Sequence, residues 1–152
     1  MKKLAISALL VTMMASAGAL ELGISTSGTV HSGSNEPKHG YGLSLGQHFG
    51  PTSIAVEVDR LNSVDLTSTS IVGGYDVTKI AGATVTAKAG VSYLKTPYAS
   101  GSDRYAGVVG AGVVVPVTTK VGITADYRYV KADSKASAFT GNTVLVGVAY
   151  AF

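Results

Sequence analysis

From about residue 20 onward, large apolar residues recur at every second position in runs of roughly ten. Polar breaks rich in Gly, Ser, Asn, Asp and Pro separate the runs. The last twelve residues, Gly141-Asn142-Thr143-Val144-Leu145-Val146-Gly147-Val148-Ala149-Tyr150-Ala151-Phe152, show the pattern most clearly. Val144, Val146, Val148, Tyr150 and Phe152 share one parity, while Leu145, Gly147, Ala149 and Ala151 share the other. Successive side chains of a strand point to opposite faces, so this period of two predicts a strand between two different environments. A soluble domain rarely leaves a row of bulky apolar residues uncovered on its last strand. A strand with one face in lipid does.

Read in order, the same pattern predicts strands over residues 20–31, 40–49, 53–61, 69–77, 84–95, 105–115 and 121–131, with 141–152 as the eighth. In the second, Tyr41, Leu43, Leu45 and Phe49 alternate with Gly42, Ser44, Gly46 and His48. In the third, Ile54, Val56 and Val58 alternate with Glu57 and Asp59. The fifth sets Val85, Ala87, Ala89, Val91 and Tyr93 against Thr84, Thr86, Lys88, Gly90 and Ser92. The seventh sets Val121, Ile123, Ala125, Tyr127 and Tyr129 against Gly122, Thr124, Asp126 and Arg128. The sixth is apolar on both parities, its smaller face being Ala106, Gly110 and Gly112.

A tilted membrane strand needs about 9–11 residues, which these runs supply. The connections alternate between long polar loops (32–39, 61–68, 97–104, 132–140) and short turns (50–52, 78–83, 116–120). An even number of strands with alternating long and short connections predicts an all-β, eight-stranded antiparallel up-and-down transmembrane barrel with both termini periplasmic. The aromatic residues support the same arrangement. Tyr41, Tyr93, Tyr105, Tyr127 and Tyr129 fall toward the outer end, and Phe49, Tyr75, Tyr150 and Phe152 toward the periplasmic end. Two girdles of rings at the lipid–water interfaces are expected of such a barrel. Tyr98 and Phe139 fall in outer loops. A soluble ligand-binding barrel of the lipocalin kind is the alternative, and it gives no reason for this sorting.

The first residues read differently. Met1-Lys2-Lys3, an apolar run to Met14 and Ala15-Ser16-Ala17-Gly18-Ala19 have the form of a secretory signal peptide, with cleavage expected after Ala19, or alternatively after Ala17. The apolar run, about 11 residues, is too short for a membrane helix. The domain expectation is therefore residues 1–19 as a cleaved leader and 20–152 as the barrel. The formal charge of +3 falls to +1 without Lys2 and Lys3. The chain has no basic stripe with interleaved aromatics, so nucleic acid is not an expected partner. It has no cysteine, so disulfides play no part.

On these residues the chain resembles the small eight-stranded outer-membrane barrels of the OmpA and OmpX type. The resemblance is carried by the leader, by Ile54-Ala55-Val56-Glu57-Val58-Asp59, by Thr124-Ala125-Asp126-Tyr127-Arg128-Tyr129 and by the terminal Val148-Ala149-Tyr150-Ala151-Phe152. It implies location in the outer membrane, outer-membrane lipids and lipopolysaccharide as surroundings, and a monomer. It also implies insertion by the barrel assembly machinery, which reads the last strand through Tyr150 and Phe152. No peptidoglycan-binding segment follows Phe152, so a cell-wall tether is not expected.

An eight-stranded barrel is just wide enough for its own side chains to fill. The inward parity carries Glu21, Glu57, Asp59, Asp76, Lys88, Asp126 and Arg128. Charges there must pair or meet water. Two readings follow. Glu57, Asp59, Lys88, Asp126 and Arg128 form a structural ion-pair network in a surface or structural protein, or they gate a narrow, porin-like ion path. For the gate, the OmpA-type resemblance points to Glu57, Lys88 and Arg128.

A third class is a lipid-modifying enzyme. His31-Ser32-Gly33-Ser34-Asn35-Glu36 only loosely resembles a deacylase pattern, with its spacing off by one, so no catalytic residue is expected. His31, Glu36 and His39 lack the fixed spacing of a metal site, and neither metal nor cofactor is expected. Lys38, Arg60, Lys95, Arg104, Lys131 and Lys135 gather at the outer rim, where they meet either solvent or lipopolysaccharide phosphates.

Overall fold

A computed structural model describes residues 19–31, 38–62, 66–95, 104–133 and 140–152. They form eight strands: β1 (Ala19–His31), β2 (Lys38–Phe49), β3 (Thr52–Leu61), β4 (Leu66–Ile80), β5 (Ala83–Lys95), β6 (Arg104–Pro116), β7 (Val121–Ala132) and β8 (Gly141–Ala151). Each strand pairs antiparallel with its sequence neighbours, and β1 pairs with β8 to close the barrel. No described helix is long and apolar enough to cross a membrane. Residues 1–18 of the expected leader 1–19, and Tyr98, Lys135 and Phe139, lie outside the described residues.

The register sets the barrel's dimensions. Following paired residues from Glu21 through Gly46, Ala55, Val72, Gly90, Val108, Val130 and Gly141 returns to β1 at His31, ten residues further along. With ordinary strand spacings, a stagger of ten over eight strands tilts the strands by about 40°, within the range of small barrels.

The two rims differ. One carries the ends of the connections β1–β2, β3–β4, β5–β6 and β7–β8, and is called the loop rim. The other carries the short turns and both ends of the described chain, and is called the turn rim. There, Gly50 has φ 63°, and Ala81 and Gly82 have φ 49° and 86°. Two successive positive φ values make the two-residue Ala81-Gly82 hairpin a type I′ connection, whose twist matches that of the flanking strands. Beyond Ala151, Phe152 continues the ladder, its N–H donating to the Leu20 carbonyl at 3.0 Å.

Strand β4 is the main departure from the sequence expectation, at 66–80 rather than 69–77. Its first residues, Leu66-Thr67-Ser68, read as loop because hydroxyl residues favour turns. In the barrel the inward hydroxyls at this end of β4 instead bond one another and the next strand. Ser68 and Ser70 hydroxyls lie 3.4 Å apart, and Ser70 meets Ser92 at 2.5 Å. At the other end a register shift between Asp76 and Thr78 carries β4 past the expected stop, a bulge that preserves pairing on either side. Strands β2, β3, β5, β6 and β7 each extend one or two residues beyond expectation at one or both ends.

The faces are inverted relative to a soluble domain. Ile24, Val91 and Val109 are 63%, 60% and 55% exposed on the outside. Their neighbour Val108, one residue from Val109, is 3% exposed within the barrel. Scattered exposed apolar residues are normal, but a continuous apolar outer surface is not. The interior has two tiers. Toward the loop rim, Leu61, Leu66, Leu94, Ala106 and Ala132 pack together, with Val130 against them. Deeper in, the lining is charged and hydroxylic. This pairing of an apolar exterior with a polar interior is what a strand with period-two content produces once it closes in a barrel around a narrow lumen.

Candidate functional site: the charged lumen

Strands β3 and β7 lie four places apart in a ring of eight, on opposite sides of the lumen. Arg128 of β7 reaches across to Glu57 of β3. Its Nη1 donates to Glu57 Oε2, and its Nη2 to Oε1 at 3.0 Å. Both side chains are buried, at 6% and 5% exposure. A bidentate guanidinium–carboxylate pair is the strongest geometry such charges have. Arg128 Nη2 also approaches Asp126 Oδ2 at 3.8 Å, and Lys88 Nζ of β5 pairs with Asp126 Oδ1.

The glycines of β6 make this possible. Gly110 pairs with Arg128 and Gly112 with Asp126. A Cβ at Gly112 would collide with Asp126 Oδ1 and come within 3.0 Å of Lys88 Cε. One at Gly110 would collide with the Tyr127 carbonyl and stand 3.2 Å from Arg128 Cγ. The small face of β6 is therefore the floor over which the ionic side chains of β5 and β7 lie.

Four of the five residues expected in the network thus meet: Glu57, Lys88, Asp126 and Arg128. Asp59 does not. Among the described residues it makes no ion pair and no hydrogen bond, although Glu57, Arg128 and Asp126 are the charges acting on it. Glu21 and Asp76 lie at the turn rim. Glu21 Oε2 is 3.6 Å from His48 Nε2, which places His48 in the lumen, and Asp76 Oδ1 accepts from the Thr86 hydroxyl at 2.9 Å.

Two adjoining cavities lie in the lumen. The larger, about 80 Å³, lies toward the turn rim and touches Glu21, His48, Lys88 and Asp126. The smaller, about 60 Å³, lies above it and touches Ser27, Ser70, Ser92 and Thr143, with Leu61 and Leu94 overhead. Arg128 and Asp59 line both. Each has room for several waters. The hydroxyl belt of the upper cavity and the leucine cluster above it are features sequence reasoning missed. Their signal is present in the inward parity of β1, β4, β5 and β8, but alternation does not say which inward residues of different strands share a level, and Ser68 beside a loop reads as loop.

On the outside, Tyr41, Tyr93, Tyr105 and Tyr129 lie toward the loop rim, where the Tyr93 and Tyr105 rings stand 5.7 Å apart. Tyr127 starts nearer the middle of β7, and its hydroxyl donates to Asn142 Oδ1 at 2.8 Å. Phe49, Tyr75, Tyr150 and Phe152 lie at the turn rim, Tyr150 and Phe152 edge to face at 5.0 Å with Lys120 Nζ 5.9 Å from the Tyr150 ring. Of the rim cations, Arg60, Lys95 and Lys131 project outward, while Lys38 and Arg104 fall on the inward parity, half-buried. Of the residues an enzymatic or metal reading leans on, Ser32 to Glu36 lie outside the described residues, while His31 ends β1 and His39 lies in β2. No group of metal-ligating side chains occurs among the described residues.

The fold is that of small outer-membrane barrels. The chain superposes on the N-terminal β-barrel domain of Pseudomonas aeruginosa OprF with a TM-score of 0.68 at 17% identity, covering 89% of this chain and 99% of that one. Neisserial surface protein A gives 0.61 at 21% identity, with 90% and 98% covered. Ail, the attachment invasion locus protein of Yersinia pestis, gives 0.59 at 16% identity, with 89% and 99% covered. No protein-family model and no curated protein matches the sequence. At these identities the likeness is one of architecture.

Proposed function

We propose that this chain is an outer-membrane protein with a structural or surface-interaction role, its lumen closed to ions at rest. The observation that carries the closed state is the Arg128–Glu57 pair, buried and spanning opposite walls. The apolar cluster of Leu61, Leu66 and Leu94 above it adds a second barrier, because dewetted constrictions block ions. In the membrane, the apolar exterior lies in lipid, the turn rim faces the periplasm and the loop rim faces out. The two sets of rings then mark the interfaces. Outward Arg60, Lys95 and Lys131 lie level with lipopolysaccharide phosphates, and Tyr150 and Phe152 on the last strand serve as the handle for the assembly machinery. The names of Ail and Neisserial surface protein A tie two barrels of this architecture to attachment and to the cell surface, which supports the same class of role here.

A second reading, a narrow channel, is favoured by one observation. Arg128 lines both cavities, so its release from Glu57 would join them. Planar-bilayer recording from the refolded protein separates the two. The closed reading predicts no openings above background in wild type. Sustained openings that change on Lys88→Ala would overturn it in favour of the channel.

A further inference from the structure

We infer that Arg60, Thr67 and Lys95 form a clamp on the outer wall for the phosphate monoester of a lipid in the surrounding leaflet. The clamp rests on the reading proposed above, in which the outer wall lies in lipid and the loop rim stands at an interface. The three residues are neighbours on consecutive strands. Arg60 of β3 pairs with Thr67 of β4, and Thr67 with Lys95 of β5. Their chain neighbours Asp59, Leu61, Leu66, Ser68 and Leu94 line the lumen, so all three point outward. With strands about 4.8 Å apart, the Arg60 and Lys95 Cα atoms stand about 10 Å apart across Thr67. Both cationic side chains are exposed, and both are long enough to lean over the half-buried Thr67.

This set of donors matches a phosphate. A guanidinium offers a planar fork to two phosphate oxygens, and an ammonium adds a compact charge. The threonine hydroxyl between them supplies a further donor. The Lys95 ammonium has no carboxylate partner among the described residues. Two cations side by side suit a phosphate monoester, which carries about −1.5 to −2 near neutral pH, better than a singly charged diester.

What lies beneath the clamp points to a lipid rather than a free ion. The next outward row toward mid-barrel is Val58, Thr69 and Tyr93, and the row after it is Val56, Ile71 and Val91. An amphiphile seats its phosphate on the cations and its chains over these side chains, whereas a soluble phosphate gains nothing from them. The charge is also local. On the opposite wall, the outward positions toward the loop rim of β1 and β8 are Gly28, Val30, Asn142 and Val144, none of them charged. Lys131 of β7 stands apart, beyond Tyr105 of β6, with Asp133 two residues further on.

The test is native mass spectrometry of the refolded barrel released from micelles, with phosphatidic acid or phosphatidylglycerol of the same acyl chains added. The first lipid presents a phosphate monoester and the second a singly charged diester. Wild type is expected to retain one phosphatidic acid, saturably, and about tenfold more tightly than phosphatidylglycerol. Arg60→Gln and Lys95→Gln are each expected to weaken that binding about tenfold, and Thr67→Val about threefold. Lys131→Gln removes the same charge and is expected to change nothing. Equal affinity for the two lipids, or an equal loss in Lys131→Gln, would overturn the clamp in favour of a diffuse basic collar. Displacement of the lipid by inorganic phosphate at comparable concentration would overturn it too, since the ligand would then be a free anion. Should a glutamine variant not fold, the preference of wild type between the two lipids decides. Channel openings in a bilayer would sink the closed reading and leave the clamp standing, while folding in water without lipid would sink both.

Discussion

Arg128 and Glu57, 71 positions apart in the chain, meet as a buried bidentate pair that bridges opposite walls of the barrel. The pair exists because β3 and β7 face one another and because Gly110 beside Arg128 leaves its side chain free to cross. Its energetics follow from burial. Removing one partner strands the other charge inside, which costs about 3–5 kcal/mol, whereas replacing both with apolar residues of similar volume is often near neutral. Glu57→Ala is therefore expected to lower the urea midpoint of the refolded barrel sharply. Glu57→Leu combined with Arg128→Met is expected to recover most of the loss. The folded and unfolded bands on an unheated gel read both.

The glycines separate into those the packing requires and those it does not. A Cβ at Gly147 would collide with the Ile24 carbonyl and stand 2.9 Å from Ser25 Cα, while nothing lies within 4 Å of one at Gly107. Gly147→Ala is expected to destabilise by about 1–3 kcal/mol, as overpacking does. Gly107→Ala should stay within about 0.5 kcal/mol, the range of an unconstrained surface site. Urea unfolding of the two variants side by side checks the contrast.

Val109 lies outward near the middle of β6, 55% exposed. With lipid on that face, Val109→Arg is expected to cost about 2–4 kcal/mol, and the same change at a position near either rim much less. Unfolding from lipid vesicles measures both. A depth-independent cost would contradict the lipid-facing assignment.

Much of this was legible in the residues. Eight strands, the parity of all but the sixth and the inward placement of Glu57, Lys88, Asp126 and Arg128 follow from period-two alternation, because the two faces of these strands meet such different surroundings. The ambiguous β6 resolves once Gly110 and Gly112 are seen beneath Lys88 and Arg128. What alternation could not supply was register. Without it, Asp59 reads as a member of the ion pairs, although it makes none among the described residues and lines both cavities. Ser68 reads as loop, because a hydroxyl residue carries the same sequence signal in a turn as in a polar lumen.

The edge-to-face contact of Tyr150 with Phe152 and the bond from Phe152 N–H to Leu20 are small contributions to the closed barrel. Tyr150→Ala and Phe152→Ala are accordingly expected to reduce the amount of folded barrel recovered from cell envelopes by several-fold more than they lower the unfolding midpoint of protein refolded in vitro. Equal losses in the two assays would remove the proposed role in assembly.

The most direct test of the account concerns which face meets lipid. The sequence has no cysteine, so single cysteines can be labelled cleanly. Ile123, Thr124 and Ala125 are consecutive on β7, with Ile123 and Ala125 outward and Thr124 in the lumen. Ile123→Cys, Thr124→Cys and Ala125→Cys, each carrying a small fluorophore, would be folded into vesicles whose acyl chains bear bromine. Strong quenching at 123 and 125 with little at 124 is the predicted result. Uniform quenching, quenching at 124 alone, or folding in water without lipid would contradict a membrane-spanning barrel with a polar lumen.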